Sequence, residues 1–358
     1  MDTTNIKTVI IQVTENCNLN CVYCYQHSKT KHVIKKDLIK EILSNSILKY
    51  NNYDEIHFEF FGGEPLLCFD MIKDVAEWMW TRDTNVPYLF FATTNGTLLT
   101  EEMKKWFSTN KTRFILGLSL DGTKEMHDLN RCNSFDRIDI DFFKETWPEQ
   151  GVKMTVSPLT IGSFAEGVIY LQQNGWNVAA NLAYGIDWSD ERNKQLLANE
   201  LKKLVDFYLQ NQEYTPIMML DMALHKLSSP IREKYCGTGT GMIAFDINGN
   251  EYPCQMFYPV TINPNDRIDF DIKHVHEAFY NNCYHKELFN MCPLCIGINI
   301  SNSKDKFLCD KNICELMQIF FQANAYYKFQ LIEQGRFHTE SKEMLENTLN
   351  GIKIIQNY

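Results

Sequence analysis

The 358-residue sequence contains no apolar run approaching the ~18 residues that a membrane-crossing helix needs. Its first residues, Met1 to Val13, lack the charged-then-apolar layout of a secretory signal, so a cytoplasmic protein without a membrane partner is expected. Positive charge is also scarce. Against 45 Asp and Glu there are only 35 Lys and Arg, a net charge of −10. That removes the electrostatic case for nucleic acid or an anionic lipid surface as partner, while a peptide partner stays open. No internal repeat and no low-complexity linker interrupts the chain. Its length suits one large domain, or a barrel with a small appendage.

Cysteine, by contrast, is abundant. Twelve cysteines in a cytoplasmic chain point to metal ligation or redox chemistry rather than disulfides. Three fall between Cys17 and Cys24, seven between Cys236 and Cys314, and only Cys68 and Cys132 lie between those groups. Two separate metal regions are the simplest reading.

Between residues 7 and 183, β-rich runs alternate with helical patterns. Strands are expected at Thr8–Val13, Ile56–Phe61, Tyr88–Thr93, Phe114–Ser119, Lys153–Ser157 and Asn177–Leu182. Helices fit between them at Asp37–Tyr50, Asp70–Trp80, Thr100–Phe107, Phe135–Thr146 and Phe164–Gln173. Such alternation predicts an α/β fold with a parallel sheet, a doubly wound sheet or a partial (β/α)6 TIM-type barrel. In a barrel the chemistry sits at the C-terminal strand ends, and the Gly-rich and polar segments of this sequence fall there. A further helix is expected over Glu191–Gln210. Beyond it the texture changes, with a hairpin around Asn248–Gly249, a Cys-rich stretch and two terminal helices, about Asn312–Gln334 and Thr339–Asn357. The expected domains are therefore 1–211, the partial barrel, and 212–358, the Cys-rich extension with its terminal helices.

The first cysteine group reads Cys17-Asn-Leu-Asn-Cys21-Val-Tyr23-Cys24. Three thiolates spaced by three and then two residues can hold a cubane iron–sulfur cluster and leave one iron without a protein ligand. A structural zinc site would need a fourth ligand, and His27 or His32 lies near enough in sequence to be one. The triplet spacing, with an aromatic before the last cysteine, resembles the radical SAM signature. Further matches follow in order. Phe61-Gly62-Gly63-Glu64-Pro65 resembles the family's GGEP motif, and Thr93-Thr94-Asn95-Gly96 resembles its ribose-contacting segment. Ser119-Leu-Asp121-Gly122 with His127-Asp128-Leu-Asn130-Arg131 resembles a stretch of the sulfatase-maturating and peptide-modifying members. The resemblance implies an S-adenosylmethionine-bound [4Fe–4S] cluster on Cys17, Cys21 and Cys24, reduced by a flavodoxin or ferredoxin. It also implies cofactor contacts from Tyr23, Gly62, Gly63, Glu64, Thr94, Asn95, Ser119 and Arg131. Taken one at a time these segments read blandly: a tight turn opening a helix, an ordinary Asn-Gly turn, a surface arginine. Cys132, directly after Arg131, is a candidate thiol donor of a hydrogen atom, and Cys68 reads as a small apolar residue.

In the second cysteine group, Cys236 and Cys254 flank the hairpin, Cys292-Pro-Leu-Cys295 is a two-spaced pair, and Cys309 and Cys314 follow. This layout resembles the SPASM or shorter twitch extension, which implies one or two auxiliary [4Fe–4S] clusters. It departs from the usual pattern in its second part, where thirteen residues separate Cys295 from Cys309. One cluster on Cys236, Cys254, Cys292 and Cys295 is one ligand set. Another is a cluster on Cys292, Cys295, Cys309 and Cys314, with the hairpin pair and Cys283 serving a second. Zinc on the same thiolates is the alternative chemistry. The resemblance implies a peptide or protein substrate: cross-linking, thioether formation or epimerisation of a ribosomally made peptide, or formylglycine formation in a sulfatase. Small-molecule dehydrogenation and a non-catalytic scaffold remain as alternatives. Sulfatase maturases usually carry an Asp after the hairpin's second cysteine. Gln255, which cannot act as a base, stands there.

Overall fold

The computed structural model describes residues 5–229, 236–263, 277, 279–293, 295–302, 309–339 and 341–357. The chain divides into two compact units interleaved in sequence. One comprises Met1–Leu120, Arg131–Val152 and Gly237–Ile272, the other Asp121–Asn130, Lys153–Cys236 and Lys273–Tyr358. The described strands are β1 (Ile6–Thr14), β2 (Glu55–Gly62), β3 (Tyr88–Thr94), β4 (Phe114–Leu118), β5 (Val152–Val156), β6 (Val178–Leu182), β7 (Met242–Phe245) and β8 (Glu251–Tyr252). Among the described helices are α1 (Lys36–Lys49), α2 (Phe69–Trp80), α3 (Glu101–Thr109), α4 (Lys124–Asn130), α5 (Ile140–Thr146), α6 (Phe164–Gln173), α7 (Arg192–Gln210), α8 (Ile296–Asn302), α9 (Lys311–Glu333) and α10 (Lys342–Gln356). The class is α/β with a parallel sheet, as the alternation predicts.

In the first unit a six-stranded sheet runs in the order β4-β3-β2-β1-β7-β8. Every neighbouring pair from β4 to β7 is parallel, and only β7–β8 is antiparallel. One face is aromatic: Phe60 stacks on Phe90 at 5.4 Å and on Phe114 at 5.9 Å, and Trp80 of α2 stacks on Trp106 of α3 at 5.7 Å. Phe58, Phe60, Phe90 and Phe114 are fully buried. Burying such rings contributes on the order of 2–3 kcal/mol each. This face explains why the helices lie where their apolar periodicity puts them.

Two features differ from the sequence reading. β7 pairs with β1, Ile10 opposite Ala244, and closes an edge that would otherwise expose unpaired backbone groups. Strands β5 and β6 form a sheet of their own instead of continuing the order of the first four. The hairpin itself is as expected. Gly249 takes φ +81, and the buried Asp246 carboxylate accepts from Asn248 N at 2.8 Å, Asn250 N at 2.9 Å and Tyr252 OH at 3.1 Å. The helix expected over Phe135–Thr146 is broken at Ile138, which is extended (φ −99, ψ 125). It restarts as α5, with the Asp139 side chain accepting from Phe142 N.

The second unit is mainly helical. Phe164 of α6 meets Phe320 of α9 at 6.3 Å, and Tyr208 of α7 meets Tyr327 of α9 at the same separation. Phe320, Phe321 and Tyr327 are buried, so the aromatic pattern of α9 is largely packing, whereas Tyr326 and Phe329 are exposed. Among the described residues no helix is long and apolar enough to cross a membrane.

Candidate active site

Within the first unit, consecutive strand ends deliver their loops to one cleft. Cys17, Cys21 and Cys24 follow β1. Gly62 ends β2 with Gly63 and Glu64 after it, Thr94 ends β3 with Asn95 after it, and Ser119 follows β4. Tyr23, Gln26, Lys29, Phe61 and Arg131 complete the lining. The cleft is open at its mouth and encloses about 190 Å³. All the residues named for the cofactor and the first cluster therefore lie together.

The two glycines are there for closeness. A Cβ on Gly62 would stand 2.3 Å from the Thr14 carbonyl oxygen, and one on Gly63 would stand 2.1 Å from that of Asn16 and 2.9 Å from the Cys17 Cβ. Without side chains, the backbone after β2 can lie flat on the cysteine loop. Gly63 N donates to Thr14 O at 3.0 Å and Glu64 N to Asn16 O at 2.9 Å. The loop is turned further by Cys24 N donating to Cys21 O at 3.1 Å.

Glu64 is the only carboxylate among the described residues lining the cleft. It is 1% exposed. Its Oε1 accepts from Thr94 Oγ1 at 2.7 Å and Leu66 N at 3.1 Å, and its Oε2 accepts from Asn95 N at 2.9 Å. Burial pushes its pKa up. The three hydrogen bonds and the nearby Arg131 guanidinium oppose that rise. Asn95 in turn donates through Nδ2 to Asn18 Oδ1 at 2.9 Å, tying β3 to the cysteine loop. The Arg131 guanidinium lies 5.3 Å from the Tyr23 ring centroid, an attraction between cation and ring quadrupole.

The Asp121 to Arg131 segment divides its labour. Arg131 lines the cleft. Asp121, His127 and Asn130 instead form a buried brace in the second unit: Asp121 N donates to His127 Nδ1 at 3.3 Å, Thr155 N to Asp121 Oδ1 at 2.9 Å, and Ser157 Oγ to Asn130 Oδ1 at 2.7 Å. Cys132 does not line the cleft. It is exposed, lies in the left-handed region at φ 60, and donates its thiol to Asn20 O at 3.1 Å. Sequence reasoning missed Gln26 and Lys29. Lys29 hydrogen-bonds Cys24, and its ammonium is stabilised by charge on all three triplet cysteines, so its pKa is raised against the opposing effect of burial. Their only sequence signal was nearness to the triplet.

Among the described residues no three His, Cys, Asp or Glu side chains are gathered tightly enough for a single metal ion. A cubane meets each of its thiolates through a different iron, so its ligands stand farther apart than those of one ion. The donor set fits it: three sulfurs and, among the described residues lining the cleft, no fourth Cys or His. Neither His27 nor His32 lines the cleft, and His32 Nδ1 lies 3.6 Å from Glu15, so the zinc alternative lacks its fourth donor here.

The later cysteines are spread over both units. Cys254 is buried in the first, near Tyr258, whose phenol is pushed up by its own complete burial first and by Cys254 second. In the second unit Cys309 hydrogen-bonds Cys314, which pushes Cys309 up and Cys314 down, and Cys309 also feels charge on Cys292. Cys283, raised mainly by burial, feels Cys314. These four are neighbours. Cys236 is exposed, and Cys295 is half-buried before α8.

Residues 11–140 match the model of the radical SAM superfamily. A cysteine-type anaerobic sulfatase-maturating enzyme of Clostridium perfringens is 25% identical over 354 residues, covering 90% of this chain and 95% of that one. The fold of a solved structure, native anSMEcpe with bound AdoMet and Kp18Cys peptide, superposes with a TM-score of 0.70 at 20% identity, over 92% of this chain and 99% of that one. Streptococcus suis SuiB bound to its precursor peptide SuiA gives 0.60 at 16% identity, over 85% and 75%. With the triplet, the Gly62-Gly63-Glu64 turn and the cleft all lying within or beside that match, residues 11–140 carry a radical SAM domain, of the superfamily whose cofactors are a [4Fe–4S] cluster and S-adenosylmethionine.

Proposed function

We propose that this enzyme cleaves S-adenosylmethionine reductively to a 5′-deoxyadenosyl radical and uses it to modify a ribosomally synthesised peptide. The observation that carries this reading is the single cleft in which the thiol triplet, the buried Glu64 and the Arg131–Tyr23 pair converge. Cys17, Cys21 and Cys24 hold the cluster, which when bound supplies the electron that breaks the sulfonium C–S bond. Glu64 receives the amino group of the methionine moiety. Ser119 and Arg131 hold its carboxylate or the ribose, Thr94 and Asn95 face the ribose, and Tyr23 lies by the adenine. Gly62 and Gly63 let the backbone approach closely enough for those contacts. Residues 212–358 form the SPASM/twitch-like extension. Its auxiliary [4Fe–4S] chemistry draws on Cys236, Cys254, Cys292, Cys295, Cys309 and Cys314, with Cys283 added by its nearness to Cys314.

Peptide binding in two fold neighbours supports the substrate class. Formylglycine formation is the second reading, favoured by the similarity to the Clostridium enzyme. Gln255 speaks against it: its Oε1 is buried with no partner, and an amide takes no proton at neutral pH. One experiment separates the two. Anaerobically reconstituted, reduced enzyme is given S-adenosylmethionine with either a sulfatase-derived cysteine peptide or a short peptide encoded beside its gene. We expect 5′-deoxyadenosine with both, and a mass change only in the second. Formylglycine in the sulfatase peptide would reverse the ranking, and no 5′-deoxyadenosine from fully loaded enzyme would favour the scaffold alternative.

A further inference from the structure

Gln26 is 6% exposed and lines the cleft two residues beyond Cys24. Its Nε2 donates to the Gly62 carbonyl at 3.1 Å. A carbonyl can only accept, so the amide is oriented with nitrogen toward Gly62, and Oε1 is left facing elsewhere. That oxygen is buried and has no hydrogen-bond partner. A buried acceptor left unmade is costly, and native structures rarely keep one without a ligand or water to satisfy it.

The shortage at Glu64 supplies the complement. A carboxylate offers about four lone-pair positions. Three at Glu64 are taken by Thr94, Leu66 and Asn95. The amino group of a bound methionine moiety brings at least two N–H donors. Coulomb attraction draws that end to Glu64, the one carboxylate among the described cleft residues, whose remaining lone-pair position takes one N–H and leaves another for a neighbouring acceptor. Gln26 is anchored on Gly62, which directly precedes Gly63 and Glu64.

We propose that Gln26 is a ligand-binding residue, its Oε1 taking a hydrogen bond from the amino group of S-adenosylmethionine while its Nε2 braces Gly62. This deepens the radical SAM reading and rests on it. The test compares two ligands that are not cleaved, bound to cluster-loaded enzyme under anaerobic calorimetry. S-adenosylhomocysteine has the amino acid end, and 5′-methylthioadenosine lacks it.

For Gln26→Met we expect a loss of about tenfold or more in affinity for S-adenosylhomocysteine, as a hydrogen bond to a charged group commands. Affinity for 5′-methylthioadenosine should be unchanged. Gln26→Glu loses the Gly62 brace but keeps an acceptor, so it should bind S-adenosylhomocysteine more tightly than Gln26→Met. The inference is overturned if Gln26→Met stays within threefold of wild type, if both ligands weaken in parallel, or if the two variants lose affinity alike. Binding of neither ligand by the wild type would instead remove the reading of the cleft, and this inference with it.

Discussion

At the scale of single residues, Glu64 shows how this site joins stability to ligand binding. Its carboxylate satisfies a hydroxyl and two backbone N–H groups at a buried position. Glu64→Ala would orphan all three, at ~1–3 kcal/mol for each donor left buried and unpaired. Chemical denaturation should show a loss of several kcal/mol, and cofactor affinity should fall beyond what unfolding explains. A loss under 1 kcal/mol would mean that water reaches those donors. The triplet makes the opposite prediction. Cys17, Cys21 and Cys24 are half-buried loop residues, so replacing any one by Ala should leave the unfolding midpoint almost unchanged while abolishing 5′-deoxyadenosine formation. Retained turnover in any of the three would take that cysteine out of the cluster. Spacing made the triplet legible in the sequence, and the resemblance to the radical SAM motifs made Glu64 and Arg131 legible too. Gln26 and Lys29 were not, because nothing in local sequence says that their side chains turn back onto Gly62 and Cys24. Asp121, His127 and Asn130, which share the motif stretch with Arg131, instead hold one another and β5 together within the second unit.

At the scale of elements, periodicity located the strands and helices because one face of each is buried, and burial is what spaces apolar residues. What it could not reveal was pairing. β7 lies over two hundred residues from β1, yet closes its edge, and a local pattern carries no trace of so distant a partner. The junction between β2 and the cysteine loop is the element on which the site depends most. Gly63→Ala would place a methyl 2.1 Å from a backbone oxygen and 2.9 Å from the Cys17 Cβ, so either β2 or the loop must move. Overpacking of this kind costs on the order of 1–3 kcal/mol. The displaced loop would then hold the triplet out of register. We expect the variant to fold with a lowered melting temperature and to retain less iron after anaerobic reconstitution. Wild-type iron content would show that the loop tolerates the shift.

At the scale of the whole molecule, the cysteines fall into two chemically different settings. The triplet lines an open cleft of the first unit beside a cation, Lys29, which suits a cluster that takes a ligand. In the second unit Cys309 and Cys314 share a hydrogen bond in a buried place, with Cys292 and Cys283 close by. Two buried thiols this close repel once both ionise. Binding a cluster removes that conflict by replacing protons with iron, so metal should fill the second setting independently of the first. Replacing Cys292 and Cys295 together by Ala should therefore lower the iron bound per chain by at least one cluster's worth. The remaining cluster should keep its electron paramagnetic resonance response to S-adenosylmethionine. Cys68→Ala is the control: its thiol is half-buried and pushed up by burial, and its loss should leave the iron count alone. An unchanged count in the Cys292/Cys295 variant would show that those thiols are packing rather than ligands. A lost response to S-adenosylmethionine would show that the two settings are not independent.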